Sequence, residues 1–306
     1  MATPMQDDKE VAKELLVSLR EDTSKVSNLN NDQLYSLQLK SGQELIANST
    51  FESMGLKNEL IQGMYSMGLE KPTLIQNLAI PQIIKGKDAA FQSKSGTGKT
   101  IAFALGALQK AEPKKGPQVL ILSPTRELCM QIGTVIKKLA EFVSLSVCFA
   151  LGDFEKTAIT EEIVVGAPGK IINLVNNSIL IPESMKMLIL DEADDLISNQ
   201  AFIALTLKLL KKFEKTQKIF FSATYSELSQ KALSKLAPNA DKFLEKNEKA
   251  DKIQLYYIEV PKSKKIDALK SLFGYLTVAQ SIIFVATKNT ADFVAKVMRD
   301  DGFRSL

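Results

Sequence analysis

Chemistry in this chain begins with one run, Ser93-Lys94-Ser95-Gly96-Thr97-Gly98-Lys99-Thr100. An apolar stretch, Ala89–Gln92, leads into it and a helical stretch from Thr100 to Lys110 leads out. A phosphate-binding loop needs this strand–loop–helix setting. Gly96 and Gly98 let backbone amides approach phosphate oxygens with no Cβ in the way. The helix start adds free amides and a positive dipole end. Lys99 would reach the β- and γ-phosphates of a nucleotide, and the Thr100 hydroxyl would ligate Mg²⁺. Ser93 stands where the generic loop pattern has Gly. A second constellation, Asp191-Glu192-Ala193-Asp194, closes the apolar run Met187–Leu190. Asp191 would hold the magnesium, directly or through water. Glu192 would orient or deprotonate the attacking water. Acids are also favoured at any helix start, so this pair draws its meaning from the phosphate loop. Two adjacent acids suit hydrolysis by water better than transfer to a bound small molecule.

Composition narrows the chemistry further. The 306 residues contain no His, which removes His general bases, Ser–His–Asp triads and His-containing metal sites. Two cysteines, Cys129 and Cys148, are too few for a disulfide framework or a cysteine zinc site, and they fit a reducing compartment, cytosol or nucleus. The net charge of +4 is compatible with nucleic acid without pointing to it. The basic residues are nearly all Lys, with Arg only at Arg20, Arg126, Arg299 and Arg304. Lys neutralises phosphate but cannot form the planar fork that reads guanine, so any nucleic acid would be held by its backbone. The polar N-terminus carries no signal-peptide core, and no apolar run approaches the roughly 20 residues of a membrane span, so no membrane insertion is expected.

These residues need a scaffold, and the apolar pattern supplies one. Residues 1–50 read as a flexible N-terminal extension, with one amphipathic helical stretch from Val11 to Leu19. From residue 51 to 238, short non-alternating apolar runs recur: Ala89–Gln92, Val119–Ser123, Val147–Ala150, Ile163–Gly166, Met187–Leu190 and Ile219–Ser222. Strands buried on both faces look like this. Helical stretches such as Thr100–Lys110, Arg126–Phe142 and Phe202–Phe213 separate them, which predicts an α/β fold with a parallel sheet flanked by helices. Residues 239–252 are charged and read as a linker. The pattern restarts over 253–306, with strands at Gln254–Val260 and Ser281–Val285 and helices at Lys265–Leu276 and Ala291–Asp300. Two strands and two helices are too few to close a second domain, so this part is expected to be the truncated start of one.

Taken in order, the motifs resemble the DEAD-box RNA helicases of helicase superfamily 2. Asp191–Asp194 spells the name motif, and Ser222-Ala223-Thr224 matches the family's SAT motif. The stretch Gly68-Leu69-Glu70-Lys71-Pro72-Thr73-Leu74-Ile75-Gln76 resembles the Q motif, with Phe51 upstream where the family has an isolated aromatic. Pro124-Thr125-Arg126-Glu127-Leu128 matches motif Ia, and Ile282-Ile283-Phe284-Val285-Ala286-Thr287 looks like motif IV. The resemblance implies two RecA-like domains, the second incomplete, and ATP and Mg²⁺ as cofactors. Gln76 would pair with adenine N6 and N7, Phe51 would stack on the ring, and Lys71 and Thr73 would stand beside them. Ser95, Gly96, Thr97, Gly98, Lys99 and Thr100 would hold the phosphates and metal. Lys99, Asp191 and Glu192 would carry hydrolysis, and Ser222 and Thr224 would couple it to RNA through hydrogen bonds near Asp194. RNA backbone would be met by Pro124, Thr125, Arg126 and Glu127, by Gly152 and Asp153, and by Pro168, Gly169 and Lys170.

The chain departs from the family in places. Leu151-Gly152-Asp153 stands where a Gly pair is usual, and Ala167-Pro168-Gly169-Lys170 where Thr-Pro-Gly-Arg is usual. Each change removes a possible contact worth on the order of 1 kcal/mol. Within the family the chain looks most like the mRNA-export helicase of the nuclear pore, through Met64-Tyr65-Ser66-Met67 and the stretch Tyr256–Ala295, including Tyr275-Leu276-Thr277-Val278-Ala279-Gln280. That implies nuclear-pore and export factors as partners, a monomer, a nuclear or cytoplasmic site, and an inhibitory use for Val11–Leu19 as the alternative to a solubilising tail. The family's Ala-Arg-Gly-x-Asp and His-Arg-x-Gly-Arg-x-Gly-Arg segments are absent from residues 1–306. An arginine finger is worth ~10³–10⁵ in rate, so the expectation is a chain that binds ATP, hydrolyses it slowly and does not unwind duplex. The competing expectation is a non-catalytic paralogue that regulates a full-length helicase.

Overall fold

The computed structural model describes residues 49–152, 154, 155, 157–244, 256–275 and 281–304. The expected helix Val11–Leu19, Asp153, the strand start at 254 and residues 276–280 lie outside them. The chain divides into two compact units, Met1–Glu248 and Lys249–Leu306.

In the first unit a short turn at Glu52–Met54 precedes α1 (Asn58–Ser66) and α2 (Leu74–Ile84). There follow β1 (Ala89–Gln92), α3 (Lys99–Lys110), β2 (Val119–Leu122), α4 (Arg126–Leu139), β3 (Val147–Ala150), β4 (Ile163–Gly166) and α5 (Pro168–Asn176). The unit continues with β5 (Met187–Asp191), α6 (Ala193–Ser198), α7 (Ile203–Lys212), β6 (Gln217–Ser222), α8 (Glu227–Leu236) and β7 (Asp241–Phe243). The seven strands form one sheet in the order β3-β4-β2-β5-β6-β1-β7, and every pairing is parallel.

The non-alternating runs have a direct cause. Each strand buries successive residues on opposite faces, and both faces are covered by helices. Phe91, Ile121, Val165, Ile189 and Phe221 pack on one side against α1 to α4. Ala90, Leu120, Val164, Leu188 and Phe220 pack on the other against α5 to α8. Glycines set the closest helix approaches. A Cβ on Gly133 would lie 2.1 Å from the Phe149 ring, and one on Gly106 would lie 2.4 Å from Ile83. Helix starts are fixed by side-chain caps: Thr73 on α2, Thr125 on α4 and Ser226 on α8 each accept from an amide in the first turn.

Two expectations need correcting. The stretch read as a linker from 239 contains β7, which pairs with β1 as an edge strand. Its charge and shortness hide it, but Phe243 stacks on Phe91 at 5.0 Å, and that burial holds it to the sheet. In the second unit, described alone, α9 (Lys265–Tyr275) and α10 (Lys288–Asp300) form. Residues 256–260 and 281–285, read as strands, are not strands. A strand needs neighbours for its amides and carbonyls and cover for its faces. Cover is not supplied among the described residues: Tyr256, Tyr257, Ile282 and Phe284 are each more than 80% exposed. α9 and α10 are joined instead by Lys270 to Asp301 at 2.8 Å and by an edge-on contact of Phe273 with Phe303.

Candidate nucleotide and RNA site

A parallel sheet exposes its loops at the carboxyl ends of the strands, and ligands gather there. Every motif singled out above except the Q motif and motif IV follows the carboxyl end of a strand in the first unit. The strand order sorts them into two groups. β5, β6 and β1 are neighbours and carry Asp191, Ser222 and the phosphate loop. β3, β4 and β2 are neighbours and carry Gly152, Pro168–Lys170 and Pro124–Glu127. β2 and β5 pair directly, so the two groups adjoin.

In the phosphate loop, Gly96 and Gly98 have φ of +79° and +96°, where a side chain is strained. A Cβ on Gly98 would also lie 2.4 Å from the Gln76 amide nitrogen. The Lys99 ammonium is buried and donates to the carbonyls of Ser93, at 2.7 Å, and Lys94, at 3.3 Å. Ser93 and Thr97 hydroxyls bond each other at 2.8 Å, so the residue in the generic glycine position braces the loop. Burial lowers the Lys99 pKa, opposed by the charges of Glu192, Asp191 and Asp194. Ser95 and Gly96 are exposed at the loop tip, and Thr100 is half-buried in the first turn of α3.

Asp191 ends β5 and is buried. Burial first, then the Glu192 charge, push its pKa up to about 7, against the pull of Lys99 and a backbone hydrogen bond. Glu192 sits in the left-handed region at φ +49°, an uncommon place for a residue with a side chain and one that occurs at functional turns. That turn starts α6 and directs Asp194 toward β6. There the Ser222 hydroxyl donates to Asp194 Oδ1 and the Thr224 hydroxyl to Oδ2, each at 2.5 Å. The Ser93 amide donates to the Ser222 carbonyl at 3.1 Å. One polar chain thus joins phosphate loop, β6 end and acidic turn.

Gln76 is buried, and its amide is engaged. Its Oε1 accepts from the Thr73 amide at 3.0 Å, closing a capping box, and its Nε2 donates to the Gly98 carbonyl at 3.3 Å. Two-point pairing with adenine therefore requires these bonds to be exchanged. Phe51 lies in the apolar cluster at 1% exposure. As placed, its ring is a core residue and offers no face for stacking, which corrects the role expected of it. Lys71 is exposed beside the capping turn.

On the other side, Thr125 caps α4 by accepting from Leu128 at 3.2 Å, which leaves Thr125, Arg126 and Glu127 exposed. Pro168 is the first residue of α5, where its missing amide costs nothing. Gly152 has open space where a Cβ would stand, and a Cβ on Gly169 would make ordinary contact with Leu205 at 3.9 Å. Lys170 turns back toward the β3 loop: it donates to the Phe154 carbonyl at 2.9 Å and the Gly152 carbonyl at 3.5 Å. Sequence reasoning missed two participants. Phe154 supplies that carbonyl from a loop sixteen residues away. Tyr225 is fully buried beside the SAT residues, its hydroxyl has no hydrogen-bond partner among the described residues, and burial plus the charges of Asp194, Asp191 and Glu192 raise its pKa. Its adjacency to Thr224 was the one available hint.

The residues fit a Mg²⁺–nucleotide. Among the described residues no three acidic or Cys/His groups cluster into a protein-only metal cage. Mg²⁺ in such sites takes one or two protein oxygens and completes its shell with phosphate and water, and Asp191 and Thr100 are of that kind.

Fold and site define a RecA-like, nucleotide-binding helicase domain. Residues 73–232, more than half of the chain, match the DEAD/DEAH box helicase family. The ATP-dependent RNA helicase FAL1 of Kluyveromyces lactis is 35% identical over 286 residues, 90% of this chain and 72% of the relative. Eukaryotic initiation factor 4A of Dictyostelium discoideum is 38% identical over 272 residues, 85% of this chain and 67% of the relative. The structure of S. cerevisiae Dbp5 bound to RNA and ADP BeF3 superposes with TM-score 0.72 at 32% identity, covering 83% of this chain and 67% of that one. The L327V variant of S. cerevisiae Dbp5 bound to Nup159, the H337R variant of Gle1, IP6 and ADP superposes with TM-score 0.59 at 31% identity, covering 81% of this chain and 67% of that one. The chain belongs to the DEAD-box family of ATP-dependent RNA helicases.

Proposed function

We propose that the first unit binds ATP–Mg²⁺ over the ends of β1, β5 and β6, and RNA backbone over the ends of β2, β3 and β4. The observation that carries this is the Asp194 fork: both carboxylate oxygens are held by Ser222 and Thr224, on the strand whose end is tied to the phosphate loop. A change at the nucleotide has a bonded route to the acidic turn.

Lys99 exchanges the Ser93 and Lys94 carbonyls for phosphate oxygens. The exchange favours phosphate, because a full negative charge replaces two neutral acceptors in a partly buried site. Bound Mg²⁺ would supply charge neutralisation across the phosphates. Asp191 gives up its proton to face that charge. Glu192, held at the turn, orients the attacking water and accepts its proton. Exposed Thr125, Arg126 and Glu127, with Gly152 and Gly169, meet phosphate and 2′-OH without reading bases.

Fluorescent ATP-analogue titration with and without oligo-uridylate tests this. Lys99→Ala should lose nucleotide binding, and Glu192→Gln should keep it while losing turnover. Unchanged binding in Lys99→Ala would reject the site. A polypeptide of residues 1–306 contains no second-domain arginine segment, so its steady-state hydrolysis should lie ~10³–10⁵ below that with a finger supplied. We further propose a role in mRNA export at the nuclear pore, in nucleus or cytoplasm. It is supported by the stretches noted above and by the likeness to Dbp5, solved with Nup159 and Gle1. Binding of Gle1 to the purified chain tests it, and no measurable binding would remove it.

A further inference from the structure

Lys170 stands in a segment expected to touch RNA, yet its ammonium is spent elsewhere. It bridges two loops at neighbouring strand ends: its own, after β4, and the one after β3. The ends of these strands are pressed together, since a Cβ on Gly166 would lie 2.8 Å from the Ala150 carbonyl. From there the β3 loop turns back on itself, the Phe154 amide donating to the Leu151 carbonyl at 3.0 Å. Lys170 closes the turn from outside. It donates to the Phe154 carbonyl at 2.9 Å and the Gly152 carbonyl at 3.5 Å, and it lies 5.7 Å from the centre of the Phe154 ring. Phe154 in turn packs on the apolar cluster of this face. A flexible ammonium suits this task, because its three donors can turn toward two separate carbonyls, whereas a guanidinium is a rigid planar fork.

We propose that Lys170 is a positioning residue: it latches the backbone at Gly152 and Phe154 in the shape that meets RNA, and it does not itself hold a phosphate. This rests on the RNA-binding reading of that turn. It differs from that reading in what it predicts for salt dependence. A residue that neutralises a phosphate of single-stranded RNA steepens the dependence of log Kd on log salt by about 0.7, and a latch leaves the slope alone.

The test uses the 306-residue chain, fluorescein-labelled oligo-uridylate with a non-hydrolysable ATP analogue, and the variants Lys170→Gln and Lys170→Arg. Amide exchange at Leu151 and Phe154 is followed without RNA. In Lys170→Gln these amides should exchange about tenfold faster and RNA affinity should fall several-fold, while the salt slope stays within about 0.3 of wild type. Lys170→Arg should fall between Lys170→Gln and wild type in exchange; if the Gln variant fails to fold, the exchange arm is read on Lys170→Arg and the salt-slope arm on Lys170→Met, which also removes the charge. A slope flattened by about 0.7 in Lys170→Gln would overturn the proposal, and so would unchanged exchange. Failure of the wild-type chain to bind the oligonucleotide would instead sink the RNA reading, and the exchange measurement would still judge the latch.

Discussion

At the scale of single residues, the site is governed by burial of charge. Asp191 titrates at about 7 in the fold against 3.8 for a free Asp, chiefly because it is buried. Between those values the folded chain holds a proton that the unfolded chain has released. Stability therefore falls as pH rises through that window and levels off above it. In metal-free, nucleotide-free buffer, wild type should lose stability relative to Asp191→Asn between about pH 5 and 7; urea midpoints across that range measure it, and parallel curves would contradict the cause given. Ser222 and Thr224 offer a second contrast. Both donate to Asp194, but Ser222 is fully buried and Thr224 is exposed. Ser222→Ala should cost ~1.5–3 kcal/mol, as a buried bond to a charged group does, and Thr224→Ala under ~1 kcal/mol. Chemical denaturation of both variants decides the order.

At the scale of elements, the sheet was readable because strands covered on both faces need unbroken apolar runs. Val147–Ala150 and Ile163–Gly166 form as the runs predict, and β5 and β6 extend theirs by a residue or two. Helix α4 stops at Leu139, short of the expected Phe142. β7 was not readable, since three residues with two charges carry no period and their pairing to β1 is decided by what Phe91 lacks on that side. Element packing also depends on residues with no local signal. Gly133→Ala would drive a Cβ into the Phe149 ring and should cost ~1–3 kcal/mol by overpacking. Adding Phe149→Leu should recover part of the loss, and a thermal melt of the double variant that shows no recovery would mean the strain lies elsewhere.

At the scale of the whole molecule, the two units differ in how far each has closed a core. The first buries a two-sided sheet, while the second exposes Tyr256, Tyr257, Tyr275, Ile282 and Phe284. Apolar patches of this kind bind dyes and promote association. A polypeptide ending at Glu248 should keep the nucleotide affinity and melting temperature of the 306-residue chain and lose most of its anilinonaphthalene-sulfonate fluorescence. A large fall in melting temperature on removing residues 249–306 would show that the first unit does not stand alone.

Spacing and residue type were enough to place the phosphate loop, the acidic turn, six of the seven sheet strands and the family resemblance, because each depends on a few neighbouring residues. They were not enough for the site's internal wiring. Gln76 bonded to Gly98, Phe51 sunk in the core, Tyr225 buried beside three acids and Lys170 latched to Phe154 all join residues far apart in the chain. Such pairs arise where strand order brings loops together, and strand order is a property of the packed sheet rather than of any one segment. The apolar runs of residues 253–306 make the same point in reverse. They have strand composition, but the described residues 256–260 and 281–285 leave most of their apolar side chains exposed, and a strand needs cover for its faces.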